Sequence, residues 1–475
     1  MTMVVGRNGT KKSLLLRALL DAFLGNEDFR HGIRPAIKTA VKFNSDDAVR
    51  DRAIAISGTP FDRFPRQNRF IALASSGKYD NVNNYYYIGL STANGATGTT
   101  HNVRTLANLL FHAARTDEGL ATAVMRVLTF LNFNSEVYVV LKRSSAINFS
   151  RTEALASEGI VSGKFSFDNF HAQLHLKTIS GTTKAVARSL GNILEKMKNA
   201  EYKNKLISSL TKMPSSVAFR FNKKGMQLFL NSKIEMHVAD IIALLDAGIL
   251  TASHIACNSK TSDRDNASAA GRSESSRSSD TANAKGRSGL VAETDMSSGQ
   301  WQLFSSMLGL ALTVADNSLV VIDEPENSLH PDWQRSYIQL LDDVIAHRKG
   351  CHVVVATHSP LIASGVDGKN GNAVRMMRAP TDSLLGTSEP LPMAFGWDAS
   401  DVYNEVFGVS APRASRFTES ADRALALIRE GSFDSEELAP LIAELTEAAK
   451  LFPKTDSMGQ VISAMAHAYK TKGGL

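Results

Sequence analysis

The run Ser-Leu-Val-Val-Ile-Asp-Glu-Pro, residues 318–325, decides the fold more than any other part of the sequence. Its uninterrupted apolar stretch is typical of a strand buried on both faces, as strands of parallel sheets are. A helix-like segment, residues 331–348, and a second bare apolar strand, residues 351–359, follow it. Strand, helix and strand in this order predict a parallel sheet with a right-handed crossover.

Two carboxylates, Asp323 and Glu324, end the first of these strands. The carboxyl ends of parallel strands meet at the edge of a sheet where ligands bind. We expect Asp323 to hold Mg²⁺, directly or through water, and Glu324 to orient and polarise an attacking water as the general base in phosphoryl transfer. The alternative is a strand whose end carries two solvated acids.

A phosphate-binding loop is predicted near the other end of the chain. GRNGTKKS, residues 6–13, follows a short apolar strand and precedes a helix. The pattern G-x-x-x-x-G-K-[ST] wraps phosphate oxygens in backbone N–H groups, and the helix N-terminus adds its positive dipole. Lys12 would neutralise the β- and γ-phosphates, and the Ser13 hydroxyl would ligate Mg²⁺. The nucleotide-binding residues predicted here are Gly6, Arg7, Asn8, Gly9, Thr10, Lys11, Lys12 and Ser13.

Lys11 departs from this pattern, because it stands where the second glycine is expected. The backbone at this position must therefore adopt a conformation that a side chain tolerates. The affinity for nucleotide can differ from that of a loop with the usual glycine. The alternative for the whole segment is a turn that contains glycine and lysine by chance.

Two further segments would complete a nucleotide site. Ser297, Ser298, Gly299 and Gln300 open a helix, and serine hydroxyls with a glycine at a helix N-terminus favour anions. His358 follows the second buried strand, where it would hydrogen-bond a γ-phosphate. Ser-Ser-Gly is also common in linkers, and a single histidine at a strand end is usually structural, so both depend on the motifs around them.

In chain order, GRNGTKKS, SSGQ, LVVIDEP, SLHP (residues 328–331) and THSP (residues 357–360) resemble the ATPase head of the ABC superfamily. In that family these motifs are Walker A, signature, Walker B, D-loop and switch histidine. The form IDEPENSLHPDWQ followed by THSP is closer to the RecF, SMC and OLD branch than to membrane transporters. AISGTPFDRFP, YYYIGL and FGWDASDVYNEVFG resemble ATPases of bacterial antiphage systems of the Septu and retron-linked type.

The resemblance implies an α/β fold: a P-loop head with a mostly parallel sheet and flanking helices, an inserted mixed α+β lobe and a helical C-terminal region. It implies that ATP and Mg²⁺ are bound and that ATP is hydrolysed, with slow turnover. It also implies a homodimer, or a higher oligomer built from dimers, in which Ser298 and Gly299 of one copy contact the γ-phosphate in the other's Walker A loop. A glutamine that couples Mg²⁺ to the water belongs before the lobe, and Gln67 is the nearest candidate.

Five segments are expected along the chain. Residues 258–290 are rich in Ser, Ala, Asp and Arg and lack the apolar surface that would offset the entropy lost on ordering, so they predict a flexible linker. The expected order is the N-terminal part of the head (1–95), the lobe (96–257), the linker (258–292), the C-terminal part of the head (293–375) and a helical region (376–475) with helices near 417–430, 435–450 and 457–471.

Composition bears on the cellular compartment and on membrane contact. Two cysteines exclude a disulfide framework, no apolar run approaches the roughly 20 residues of a membrane span, and the start is too poor in apolar residues for a secretory signal. We therefore expect a cytoplasmic protein without membrane contact. The net charge of +6 fits either a nucleic-acid partner or a basic soluble surface. The same two interpretations apply to the lysine-rich stretch 196–212.

The sequence also bears on the effector. OLD nucleases carry a Toprim domain with a separated Asp-x-Asp, and no Asp-x-Asp follows residue 365. We therefore expect a separate nuclease effector rather than a built-in one. Three hypotheses stay open: an antiphage ATPase that controls such an effector, a RecF/SMC-like DNA-repair ATPase that acts on DNA, and a nucleotide-binding scaffold with negligible hydrolysis.

Overall fold

The computed structural model describes most of the chain, and Asn8, Gln67 and the greater part of the predicted linker lie outside the described residues. The described ranges are 1–7, 9–23, 52–59, 63–65, 84–89, 99–113, 118–143, 195–196, 198–213, 216–228, 237–246, 249–260, 289–369, 372–378, 387–392, 394–409, 413–453 and 455–472.

Strands and helices alternate through the first part of the described chain and give way to helices at its end. The strands are β1 (Thr2–Val5), β2 (Arg52–Ser57), β3 (Tyr85–Ile88), β4 (Phe133–Arg143), β5 (Ser216–Asn222), β6 (Gly225–Leu228), β7 (Leu250–Ser259), β8 (Leu290–Ala292), β9 (Ser318–Asp323), β10 (His352–Thr357), β11 (Ala373–Met377) and β12 (Ser388–Leu391). The helices are α1 (Lys12–Phe23), α2 (Thr99–Ala113), α3 (Glu118–Phe130), α4 (Ala200–Lys212), α5 (Val238–Asp246), α6 (Ser298–Thr313), α7 (Pro331–Ile345), α8 (Pro360–Ala363), α9 (Ala399–Glu405), α10 (Ser415–Arg429), α11 (Leu438–Ala449) and α12 (Met458–Lys472).

The head is built on a sheet that, within the described ranges, runs in the order β12-β11-β1-β10-β9-β2-β3. The pairings of β11, β1, β10, β9, β2 and β3 are parallel, and β12 is antiparallel to β11. Every residue of β9 is buried, as its apolar sequence requires. The mostly parallel sheet with helices packed against it confirms the predicted fold class, that of a P-loop ATPase.

The lobe contains a separate antiparallel sheet, in the order β6-β5-β4-β7-β8 over the described residues. The residues of β5 alternate between buried and partly or fully exposed positions, as expected of an antiparallel strand with one buried face. Helices α2 and α3 connect the lobe to the head, because α2 contacts both β7 and α6, while α3 contacts β4, α6 and α7. Arg126 on α3 donates to the backbone carbonyl of Asp343 on α7 at 2.6 Å.

The two strands β7 and β8 extend into both ends of the segment 258–292, for which composition alone predicts a linker. Cys257 pairs with Val291 and Asn258 with Leu290, so the apolar residues that frame the low-complexity stretch join the lobe sheet. Likewise β12 lies within the region 376–475, where the sequence indicates helices only. Neither extension carries a hydrophobic run long enough to be recognised as a strand in isolation.

Residues Asp398–Leu475 form a second compact unit. Its helices α10, α11 and α12 pack against one another around a core that includes Ala424, Leu438 and Leu445, all fully buried. These helices occupy the positions that the periodicity of the sequence predicts. Within the described residues, no helix combines the length and the apolar composition that a membrane span requires.

Candidate functional site

The parallel register brings distant parts of the sequence to one edge of the head sheet. Val5 pairs with Thr357, Ala356 pairs with Asp323, and Asp323 pairs with Ser57. The segments that follow these residues leave their strands at the same edge, because the strands are parallel. They are the Walker A loop, the end of Walker B, the switch histidine, and residues 57–59 after β2.

The Walker A loop curls around the side chain of Lys12. The ammonium group donates to the backbone carbonyl of Gly6 at 2.8 Å and to that of Arg7 at 3.3 Å. The Thr10 hydroxyl also donates to the Arg7 carbonyl, at 2.9 Å. Helix α1 begins immediately at Lys12, with Ser13 partly buried in its first turn. The arrangement places a buried cation at the N-terminus of a helix, as a phosphate site requires.

Charge links this loop to the acids across the sheet edge. Lys12 is only 6% exposed. Burial lowers the pKa of its ammonium group, and the carboxylates of Glu324, Asp323 and Glu326 oppose that shift. The predicted Walker A lysine and the predicted Walker B acids therefore act on one another electrostatically in the folded chain.

Lys11 takes up the conformation that the glycine of the pattern would supply. Its φ angle is +70°, in the left-handed region that side chains other than glycine enter at a cost of about 1–2 kcal/mol. Its side chain is exposed, so it makes no packing contacts that would offset the strain. A shorter residue at this position would therefore lose no packing. The loop is thus strained at the position where the sequence departs from the motif.

Replacing Lys11 should reveal that strain. We expect Lys11→Gly to raise the free energy of unfolding by about 0.5 kcal/mol, because relief of the left-handed strain exceeds the entropy that glycine loses on folding. Lys11→Val should instead lower it by about 1 kcal/mol, since β-branched residues are rarely found at positive φ. Urea unfolding of the three proteins measures both changes. Equal stability of the glycine and valine variants would contradict the left-handed conformation.

The two Walker B acids differ in their surroundings. Asp323 ends β9 and is 1% exposed, whereas the side chain of Glu324 is 27% exposed and reaches the open edge. Glu324 leaves the strand with φ +47°, and its amide donates to the carbonyl of Ala356 on β10. One carboxylate oxygen of Glu324 accepts a hydrogen bond from the side chain of Asn327 at 3.1 Å. The second oxygen of Glu324 lies 3.8 Å from Nδ1 of His358.

His358 lies at the same edge and is 40% exposed. Its Nδ1 is 3.3 Å from a carboxylate oxygen of Glu326. Glu326 was missed by sequence reasoning, although the motif contains it two residues after Glu324. Glu326 is buried, so it is not available to water. Its contacts with the turn after β10 join residues far apart in the sequence and are visible only in the structure.

The signature segment is held at the start of α6. Ser297 caps this helix, since its hydroxyl accepts from the amide of Gln300 at 3.2 Å. Ser297 and Ser298 are exposed, and Gly299 is buried against the D-loop. A Cβ at Gly299 would lie 2.2 Å from the carbonyl oxygen of Ser328. The serines of this segment thus face outward while its glycine packs within the head.

A second close backbone approach was not foreseen from the sequence. Gly58 follows β2, and its amide donates to the carbonyl of Asp323 at 2.9 Å. A Cβ at Gly58 would lie only 2.0 Å from the carbonyl oxygen of Glu324. The neighbouring Ser57 carbonyl accepts from the side chain of Gln302 on α6 at 3.1 Å. Residues 57 and 58 thus connect the Walker B acids to the signature helix.

The residues at this sheet edge fit Mg²⁺ and a nucleoside triphosphate. The hydroxyl of Ser13 and the carboxylate of Asp323 are hard oxygen donors, which Mg²⁺ prefers. The ammonium of Lys12, now held by carbonyls of its own loop, is the cation that phosphate oxygens would engage. When bound, Mg²⁺ would neutralise charge that develops on the phosphates.

Comparison with known proteins agrees with this geometry. A family model described as "AAA domain, putative AbiEii toxin, Type IV TA system" matches residues 171–364, which include the signature, Walker B, D-loop and switch-histidine segments. This match, which covers less than half of the chain, supports a P-loop ATPase domain of the OLD/RecF-like type. The match begins after the Walker A loop, so that loop is assigned from its own sequence and contacts.

Two curated proteins share short segments with this chain. Protein ea59 of Escherichia phage lambda is 37% identical over 71 residues, which are 15% of this chain and 13% of that protein. The OLD nuclease of Thermus scotoductus is 36% identical over 69 residues, 14% of this chain and 12% of the nuclease. The chain thus matches little more than a tenth of either relative.

Proposed function

We propose that this chain is the ATPase subunit of an antiphage defence complex. It binds ATP with Mg²⁺, hydrolyses it slowly, and controls a separate nuclease effector through ATP-dependent pairing of two copies. The observation that carries the proposal is the arrangement of the Walker A loop, Glu324 and His358 at one sheet edge, with exposed signature serines elsewhere on the same head. The similarity to a protein named OLD nuclease supports the defence setting.

Each group at the sheet edge has a distinct task in this proposal. Lys12 would leave the loop carbonyls and engage the phosphates, and the carboxylate of Glu324, which is accessible, would accept a proton from the attacking water. His358 would hold the γ-phosphate from the side opposite the loop. Of the three acids described at this edge, Asp323, Glu324 and Glu326, Glu324 is the most exposed, and one of its carboxylate oxygens is not engaged by Asn327.

The position of the signature segment supports the proposal that two copies pair. Exposed hydroxyls at the N-terminus of α6 form an anion site, yet Gly299 anchors that terminus on the D-loop of its own chain. We propose that Ser298 completes the site of a second copy, so that ATP holds two heads together and hydrolysis releases them.

A complementation experiment tests the shared site. Lys12→Ala and Ser298→Arg should each abolish turnover. An equal mixture should recover about a quarter of wild-type phosphate release, because half of the pairs are mixed and each mixed pair has one intact site. The Lys12→Ala/Ser298→Arg double variant, mixed with either single variant, is the control and should recover nothing. Mixed pairs that form without any recovery would contradict the shared site.

The effector needs a test of its own. We expect the full chain to co-purify with a nuclease encoded next to it, in a particle whose mass corresponds to an even number of ATPase chains. Purification of the ATPase without any nuclease, combined with ATP-stimulated binding to DNA ends or gaps, would favour the RecF/SMC-like repair alternative.

Direct nucleic-acid binding through the lysine-rich stretch is the weaker interpretation. Lys196 pairs with Asp240 at 3.0 Å and Lys198 with Glu195 at 2.6 Å. These contacts support the role of a solvated helix face. The scaffold alternative draws on the strained Lys11, and release of phosphate by the purified protein would exclude it.

A further inference from the structure

Glu326 is a buried carboxylate with an unusual set of partners. It lies in the loop between β9 and α7 and is 7% exposed. One of its oxygens accepts the hydroxyl of Thr357 at 2.8 Å, and the other accepts the backbone N–H of His358 at 2.7 Å. Burial of an ionised carboxylate is unfavourable unless hydrogen bonds compensate for the lost hydration, and these two bonds provide that compensation. Within the described residues, its sole ion-pair partner within 4 Å is His358.

The same carboxylate faces the ring of His358. Oε1 of Glu326 lies 3.3 Å from Nδ1, and Glu324 approaches that nitrogen from 3.8 Å. Nδ1 is buried and has no hydrogen-bond partner among the described residues, so these carboxylates act on the ring through their charge, which favours a proton on Nδ1. The opposite nitrogen, Nε2, is then left for the ligand at the exposed edge.

Glu326 and Glu324 cannot exchange roles. Glu324 is partly exposed and can meet water, whereas both oxygens of Glu326 are engaged by the turn after β10. The turn is held further by Ser359, whose amide donates to the Thr357 hydroxyl at 2.9 Å and whose own hydroxyl donates to Gln334 on α7 at 2.7 Å. Glu326 therefore belongs to a hydrogen-bonded network beneath the site and does not face the reacting atoms.

We propose that Glu326 is a positioning residue for ATP hydrolysis, which sets the backbone and the ring of His358 so that Nε2 meets the γ-phosphate. The proposal rests on the proposed ATPase function. Its contribution should be mainly to turnover rather than to nucleotide capture, because Glu326 contacts His358 directly, whereas its charge acts on Lys12 less than those of Glu324 and Asp323 do.

Glu326→Gln is the informative variant, since the amide keeps the size of the side chain and can still accept from the His358 backbone. We expect kcat to fall about 10- to 100-fold, the factor that a hydrogen bond to a charged group contributes, with KM for ATP nearly unchanged. In a His358→Ala background the same substitution should have no further effect. Glu293→Gln is the matched control. Glu293 directly follows β8 of the lobe sheet and is a buried carboxylate that also accepts a backbone N–H and faces a histidine, His254. It should keep wild-type turnover.

Equal losses from Glu326→Gln in the wild-type and His358→Ala backgrounds would overturn the proposal, because they would indicate a purely structural role. A second measurement does not need turnover. In protein with ¹⁵N-labelled histidine, the Nδ1 resonance that disappears in His358→Ala should shift in Glu326→Gln and stay in place in Glu293→Gln. An unshifted resonance would also overturn the proposal. Absence of turnover in the wild-type protein would refute hydrolysis itself, and the resonance would still decide the role of Glu326.

Discussion

Glu324→Gln should abolish ATP hydrolysis while leaving ATP bound and two copies of the chain paired. The amide cannot accept a proton from water, and loss of a general base typically costs about 10²–10⁴-fold in rate. Binding should persist because Lys12 and the Walker A loop are unchanged. We expect light scattering with ATP and Mg²⁺ to give the mass of two 51.4 kDa chains, and phosphate release to fall to background.

The control for this experiment is Asp316→Asn. Asp316 is an exposed acid just before β9, at the opposite end of the strand from Glu324, where its carboxylate accepts the backbone N–H of Lys349. This variant should keep wild-type turnover and release its partner as ATP is consumed. A Glu324→Gln protein that binds ATP but stays a single chain would count strongly against pairing across a shared site.

Gly58→Ala should damage both stability and turnover, although it adds one methyl group. The new Cβ would lie 2.0 Å from the carbonyl oxygen of Glu324 and 3.0 Å from its carbonyl carbon, so backbone would press on backbone with no side chain to move aside. We expect the free energy of unfolding to fall by about 1–3 kcal/mol, as in overpacked cores. Displacement of Glu324 by about 1 Å should lower kcat roughly 100-fold.

Urea unfolding and steady-state phosphate release measure these two effects. Gly459→Ala is the control, since a Cβ at that residue of α12 meets nothing within 4 Å. It should keep wild-type turnover and should not lower the free energy of unfolding, because alanine loses less conformational entropy in a helix than glycine does. If Gly58→Ala retained wild-type stability and turnover, the close contact between the segment after β2 and Walker B would be wrong.

The sequence predicts those parts of the fold whose signals are local. The apolar run of β9, the alternation in β5 and the periodicity of α10, α11 and α12 each follow from burial of one or both faces of an element. The parallel sheet follows too, because strand, helix and strand leave few other topologies.

The remaining features depend on contacts between distant residues. The left-handed conformation of Lys11 is foreshadowed by the missing glycine, but the fit of Gly58 against Glu324 and the bonds of Glu326 to Thr357 carry no local signal. Strand β8 is too short, and β12 too short and too polar, to be recognised without their neighbours. Sequence thus identifies the groups that belong to a recognised motif, whereas the structure reveals the groups that hold them in place.

The order of strands in the head sheet has a consequence for synthesis on the ribosome. β1 is translated before the other described strands, yet its neighbours on both sides are β10 and β11, with Thr2 paired to Val354 and to Ala373. At about 5–20 residues per second, β1 waits for tens of seconds before either partner emerges. The predicted phosphate loop is therefore translated long before the strands that hold β1 in place, and a polypeptide that ends before β10 lacks both neighbours of that strand.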